Sequence, residues 1–155
     1  MQTEEAKLEA SDGAANDYFG FAVSISGETA VVGAYADDDS TYNDGSAYIF
    51  VRSGSTWTQQ QKLGASDGAA SHYFGKAVSI SGETAVVGAQ SEGQVGDNIG
   101  SAYIFVRNGS TWTEQQKLEG DGTANDEFGY AVSISVADSG ATDASSVQSP
   151  RLRHE

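Results

Sequence analysis

The pentapeptide AVSIS occurs three times, at residues 22–26, 77–81 and 131–135, each copy just behind a Phe-Gly pair: Phe19-Gly20, Phe74-Gly75 and Phe128-Gly129. Steps of 55 and 54 residues are what a propeller or another stacked architecture produces, because each repeat is one supersecondary unit unable to bury its apolar surface alone. Function therefore has to be read repeat by repeat.

Laid over each other, residues 7–61 and 62–116 differ at 15 positions, and nine of these fall between Tyr35 and Asp44. One segment carries most of the divergence. The same register aligns residues 3–8 (TEEAKL) with residues 58–63 (TQQQKL) and 113–118 (TEQQKL), so Met1 falls in mid-unit. After Ser135 the expected GETAVVGA is replaced by VADSGATDASSVQSPRLRHE. Complete units are expected at 19–63 and 74–118, with partial ones at 1–18 and 128–135. Residues 136–155 are expected to be a disordered, non-repeat tail. The broken register, with Arg151, Arg153 and His154 as its cationic cluster, reads as a truncated or shifted frame.

Within a unit every signal is for strands. Residues 19–26 are rich in β-branched and small residues, Gly27-Glu28 interrupts, and TAVVGA at 29–34 resumes the pattern, which predicts a tight hairpin. SAYIFVR at 46–52 is apolar on both faces and predicts a central strand covered on both sides. TWTQQQKL at 56–63 alternates, is more polar, and predicts an edge strand. The fold expected is all-β: tandem four-stranded antiparallel blades forming an open partial β-propeller.

Charge narrows the partners. With 8 Lys plus Arg against 22 Asp plus Glu, the formal charge is −14. Nucleic acid and anionic lipid are thereby disfavoured, since phosphate binding needs cationic side chains. No apolar run approaches the ~20 residues of a spanning helix, so membrane insertion is not expected. The first ten residues lack the basic and apolar regions of a signal peptide. The absence of cysteine removes disulfides, thiolate metal sites and cysteine nucleophiles together.

Phe19-Gly20-x-x-Val23 followed by Val32-Gly33-Ala34, with Phe74-Gly75, Val78 and Val87-Gly88-Ala89 as counterparts, resembles FG-GAP repeats. These are the propeller blades of integrin α-subunits and many surface proteins. The resemblance covers residues 1 to about 135, although the Pro that often closes the Gly-Ala-Pro element is Tyr35 in one unit and Gln90 in the other. It implies an extracellular or cell-surface parent, a noncatalytic interaction role in cell adhesion, and calcium as the cofactor to test for. In the family, calcium sits between the Phe-Gly and Gly-Ala strands. Here that place holds only Ser26-Gly27-Glu28-Thr29 and Ser81-Gly82-Glu83-Thr84, and one carboxylate does not supply the roughly six to eight oxygens calcium takes.

Meander geometry points to the other end of the blade, where the loops joining strands 2 and 3 lie beside those joining successive blades. That end is acidic, and in integrin-like propellers it is the partner-binding face. Asp37, Asp39, Asn43 and Asp44 are the candidate metal ligands, and Asp12, Asp17, Asp38, Asp67, Glu92 and Asp97 the candidate ligand-binding residues. The alternative at these positions is a solvated acidic loop that keeps the protein soluble. Trp57 and Trp112 recur at repeat spacing and are expected to pack between blades. Asn108-Gly109-Ser110 matches a glycosylation acceptor.

An enzyme is not expected: acid-base or nucleophilic chemistry needs unlike groups held together, and the repeats offer one histidine, His72, beside carboxylates in Gly-rich loops. The expected function is an interaction module engaging a protein or glycan partner through its acidic loop face. Two alternatives stay open, a repeat fragment with no independent function and a lectin-like carbohydrate-binding propeller. Open blade edges also suggest self-association.

Overall fold

A computed structural model describes residues 1–91, 98–136 and 142–148, with side chains up to Ser135. Among these residues there are ten strands and no helix. The first sheet runs β1 (Ala22–Ser26), β2 (Thr29–Ala34), β3 (Ser46–Ser53) and β4 (Thr56–Leu63), each paired antiparallel with the next. The second repeats it with β5 (Phe74–Ser81), β6 (Thr84–Ala89), β7 (Ser101–Asn108) and β8 (Thr111–Glu119). A third sheet pairs β9 (Ala131–Val136) with β10 (Thr142–Gln148). The hairpins turn at Gly27-Glu28 and Gly82-Glu83 as expected, with each Gly at a positive φ of 56°.

Two expectations change. The first strand of the first unit starts at Ala22 and not at Phe19, whereas its counterpart β5 starts at Phe74. Phe74 forms a parallel bridge with Gly45 of the preceding blade and donates its N–H to the Asp44 carbonyl, 3.0 Å. Phe19 makes no such bridge among the described residues. The tail expected to be disordered over 136–155 contains β10, whose backbone pairs with β9 across an irregular register. An edge of β9 left without its usual partner satisfies its backbone groups with the nearest extended chain.

The apolar core lies between sheets. The largest cluster joins Val31, Ala47 and Ile49 of the first blade to Val78, Ile80 and Val87 of the second. Smaller clusters lie on the other face of each of these two blades. One packs Val32, Tyr48 and Phe50 under Leu8 and Ala10 of the N-terminal segment, and the other packs Val86 and Ile104 against Ile134 of β9. The chain is thus a stack of two complete blades and a two-stranded third.

The recurring motifs are devices for stacking. In AVSIS the apolar residues face the previous blade, and Val78 and Ile80 are 9% and 5% exposed. Their equivalents Val23 and Ile25 are 67% and 63% exposed. The serines face the next blade: Ser24 Oγ accepts the Ile80 N–H and Ser79 Oγ the Ile134 N–H, both 3.1 Å. The glycines allow backbone contact. A Cβ on Gly33, from the Val-Gly-Ala element, would overlap the carbonyl oxygen of Gly75 in the next Phe-Gly pair. Gly88 meets Gly129 in the same way.

The tryptophans follow suit. A β-bulge in the β3–β4 register leaves Gln60 unpaired, and its Oε1 accepts the Nε1–H of buried Trp112, 2.9 Å. Glu5, at the equivalent position of the N-terminal segment, accepts the Nε1–H of Trp57, 3.1 Å. Residues 3–8 therefore contribute contacts like those of a fourth strand, without pairing as one.

Candidate functional site

The meander puts the β1–β2 and β3–β4 turns at one end, and the β2–β3 and inter-blade loops at the other. At the first end the two units carry the same pairs, Arg52 with Glu28 and Arg107 with Glu83, each through two guanidinium nitrogens. Hydrogen bonding to Arg52 and Arg107 holds the Glu28 and Glu83 carboxyls below their ordinary values. The carboxylates of the Gly-Glu turns are thereby engaged within their own blades.

At the other end most candidate residues are also engaged. Lys62, at the end of β4, places its ammonium 2.7 Å from Asp12, 2.8 Å from Asp37 and 3.2 Å from Asp39. Burial works to lower the Lys62 pKa, but the hydrogen bonds to these three carboxylates outweigh it and raise the value. Asp12 is lowered, chiefly by its hydrogen bond to Lys62. Buried Asp37 also accepts from the Ser46 hydroxyl, 2.6 Å. The Tyr48 hydroxyl donates to Asp12, 3.0 Å. Asp67 is lowered too: burial opposes ionisation there, and is overcome by the ammonium of Lys117 at 2.7 Å and the Tyr103 hydroxyl.

Asp44 has a structural task of another kind. Its carboxylate accepts the N–H groups of Asp39, Ser40 and Thr41 and the Ser40 hydroxyl, so it holds the β2–β3 loop in shape. Asp38 accepts the Asn43 N–H, 2.6 Å. Asp17, which is buried, accepts the Ala14 N–H, 2.6 Å. At the equivalent place His72 accepts the Ala69 N–H through Nδ1, 3.3 Å. Glu92 and Asp97 lie outside the described residues.

The proposed cation set therefore does not fit calcium. Asp37 and Asp39 meet at an ammonium, Asp44 accepts four loop donors, and Asn43 contributes its backbone N–H to Asp38. Among the described residues no three carboxylate or imidazole groups are disposed to hold a metal ion.

What the loops do form is an aromatic cleft of about 560 Å³ between the first and second blades. Asp17, Asp38 and Asn43 line it, but the walls are Tyr18, Tyr35, Tyr42 and Tyr73, with Lys76. Tyr35 is the keystone, stacked on Tyr18 with centroids 5.2 Å apart and in edge contact with Phe21 and Tyr73. The Lys76 ammonium lies 5.1 Å from the Tyr35 ring centroid and 5.5 Å from that of Tyr73. Backbone bonds fix the cleft floor: Ser71 N–H donates to the Tyr42 carbonyl, 2.8 Å, and Tyr73 N–H to that of Asn43, 3.2 Å.

Sequence reasoning aimed at the acidic residues and missed these rings. The signal was present in the comparison of repeats, because Tyr35, Tyr42 and Lys76 each stand where the aligned unit has a different residue: Gln90, Asp97 and Phe21.

The FG-GAP repeat model matches residues 2–50, 57–105 and 112–138. The chain belongs to the FG-GAP repeat family. Each full FG-GAP match opens on the fourth-strand segment of one blade and closes on the third strand of the next, so the family's repeat spans a blade interface. The Phe-Gly and Gly-Ala elements that characterise it are the pieces whose glycines touch across that interface. FG-GAP repeats suggest propeller-type interaction modules, generally noncatalytic and typical of extracellular or cell-surface proteins. Comparison with curated proteins gives no match.

Proposed function

We propose that this chain is a noncatalytic interaction module from an extracellular or cell-surface FG-GAP propeller, engaging a protein or glycan partner through the end formed by the β2–β3 and inter-blade loops. The observation that carries this reading is the distribution of differences between two otherwise near-identical units. Nine of 15 fall between Tyr35 and Asp44, while the Arg-Glu pairs, the Asp-Lys-Tyr clusters, the Trp bonds and the motif glycines repeat. The segment that differs most between the units sits on loops fixed by a rigid frame, which is where binding specificity resides. Calcium is not part of the proposal.

The test exchanges residues 35–44 for the aligned ten of the second unit (QSEGQVGDNI) and compares both proteins against ligands selected from a displayed peptide library and a glycan panel. Wild type is expected to bind and the exchanged protein to lose binding while keeping amide protection of its paired strands, with a lower melting temperature because the Lys62 partners Asp37 and Asp39 and the loop-holding Asp44 are replaced. Ligands that bind both proteins equally, or that protect the Gly27-Glu28 end, would overturn the reading.

A further inference from the structure

We infer that the aromatic cleft between the first two blades is a binding site for a neutral carbohydrate, taken as one or two pyranose rings. This rests on the interaction-module reading and names its ligand class.

Ring faces come first. Tyr42 is 68% exposed and makes no ring contact among the described residues, and Tyr18, stacked through one face on Tyr35, is 55% exposed. Exposed phenol rings offer apolar area at low entropic cost, having two side-chain torsions to fix, and the C–H face of a pyranose is the complementary surface. The stack on Tyr35 holds the Tyr18 ring, so this part of the wall is built before any ligand arrives.

The polar groups of the cleft have the matching chemistry. Neither the side-chain amides of Asn16 and Asn43 nor the hydroxyls of Tyr18, Tyr35, Tyr42 and Tyr73 have a hydrogen-bond partner within the described protein. Amides and phenols each donate and accept, as sugar hydroxyls do. Elsewhere at this end such groups are consumed internally, as Tyr48 is by Asp12 and Ser46 by Asp37. A cleft of about 560 Å³ with aromatic walls and a few unspent polar groups is of ligand size.

Charge removes the competing ligands. A cationic side chain would seek the ring faces of Tyr35 and Tyr73, and the Lys76 ammonium already occupies that place. An anion would approach a protein of formal charge −14 past Asp38 at the rim. A neutral polyol meets neither obstacle. The corresponding position between the second and third blades lacks this wall, because Tyr35 is replaced by Gln90, Tyr73 by Glu127 and Lys76 by Tyr130.

The experiment is a titration of the full chain, followed by amide chemical shifts, with lactose, cellobiose, maltose and diacetylchitobiose. Sialyllactose and an arginine-rich peptide serve as charged controls. At least one neutral disaccharide is expected to shift amides of residues 16–18, 35–43 and 73–76 with millimolar affinity. Tyr42→Ala should weaken it about tenfold or more, while Tyr42→Phe keeps most of the affinity and both variants keep the wild-type melting temperature. Silence of every neutral sugar at these amides, binding only of a charged control, or full affinity in Tyr42→Ala would overturn the proposal. If sugars are silent and selected peptides still map to these loops, the interaction-module reading survives without the glycan; if nothing maps there, both fall.

Discussion

Lys62 is one of 8 basic residues in an acidic chain, and it is placed where three carboxylates would otherwise repel one another. Removing its charge leaves buried Asp37 with hydroxyl donors alone. Lys62→Met is therefore expected to destabilise the protein by about 3 kcal/mol, as breaking a buried pair does. Adding Asp37→Asn should restore part of that loss in urea melts. Equal stability of Lys62→Met and wild type would show that the cluster is only a solvated surface group. The same contacts set a pH dependence. Asp12 and Asp67 have lowered values in the folded state. Their contribution is complete above the ordinary carboxylate value of about 4 and is lost as pH falls through the lowered ones. Urea midpoints should hold down to about pH 4 and drop below it. The drop should be modest, since both carboxylates are nearly half exposed and screened by water. A midpoint that rises on acidification would contradict the assignment.

At the scale of elements, strands and hairpins were legible because they are written in local pattern: two-fold alternation in β4 and β8, two-sided apolarity in β3 and β7, Gly-Glu at the turns. β10 was not, because TDASSVQ carries no apolar pattern in the sequence. The acidic end was legible as a place and not as chemistry. Nothing in the order of residues says that Asp12, Asp37 and Asp39 converge on Lys62, or that Tyr35 and Tyr73 meet across a blade interface. The first depends on how loops far apart in sequence fold over one end of a blade, the second on how sheets stack, and stacking depends on the motif glycines. Gly33→Ala is accordingly expected to cost about 1–3 kcal/mol through overpacking against Gly75. Gly54→Ala, at a turn with nothing near its missing side chain but a φ of 64°, should act locally and leave the blade interface intact. Thermal melts with amide exchange across β5 separate the two; protection of β5 unchanged in Gly33→Ala would contradict the close-approach account.

For the molecule as a whole, one rule explains both its cohesion and its open side: each blade is stable because the next lays Val and Ile on it and receives its serines. The face of β1 carries the same residues as β5, exposed to water. The charge of −14 opposes association through that face, an effect screened beyond about 8 Å at physiological salt. The most direct measurement is a matched pair of truncations at one repeat position. Ile80→Ala should cost about 3 kcal/mol, the usual loss for a buried isoleucine. Ile25→Ala, identical in repeat position and flanked by the same serines, should change stability by no more than about 0.5 kcal/mol. Equal costs at Ile25 and Ile80 in urea unfolding would contradict the stacked-blade account on which the cleft and the proposed function depend.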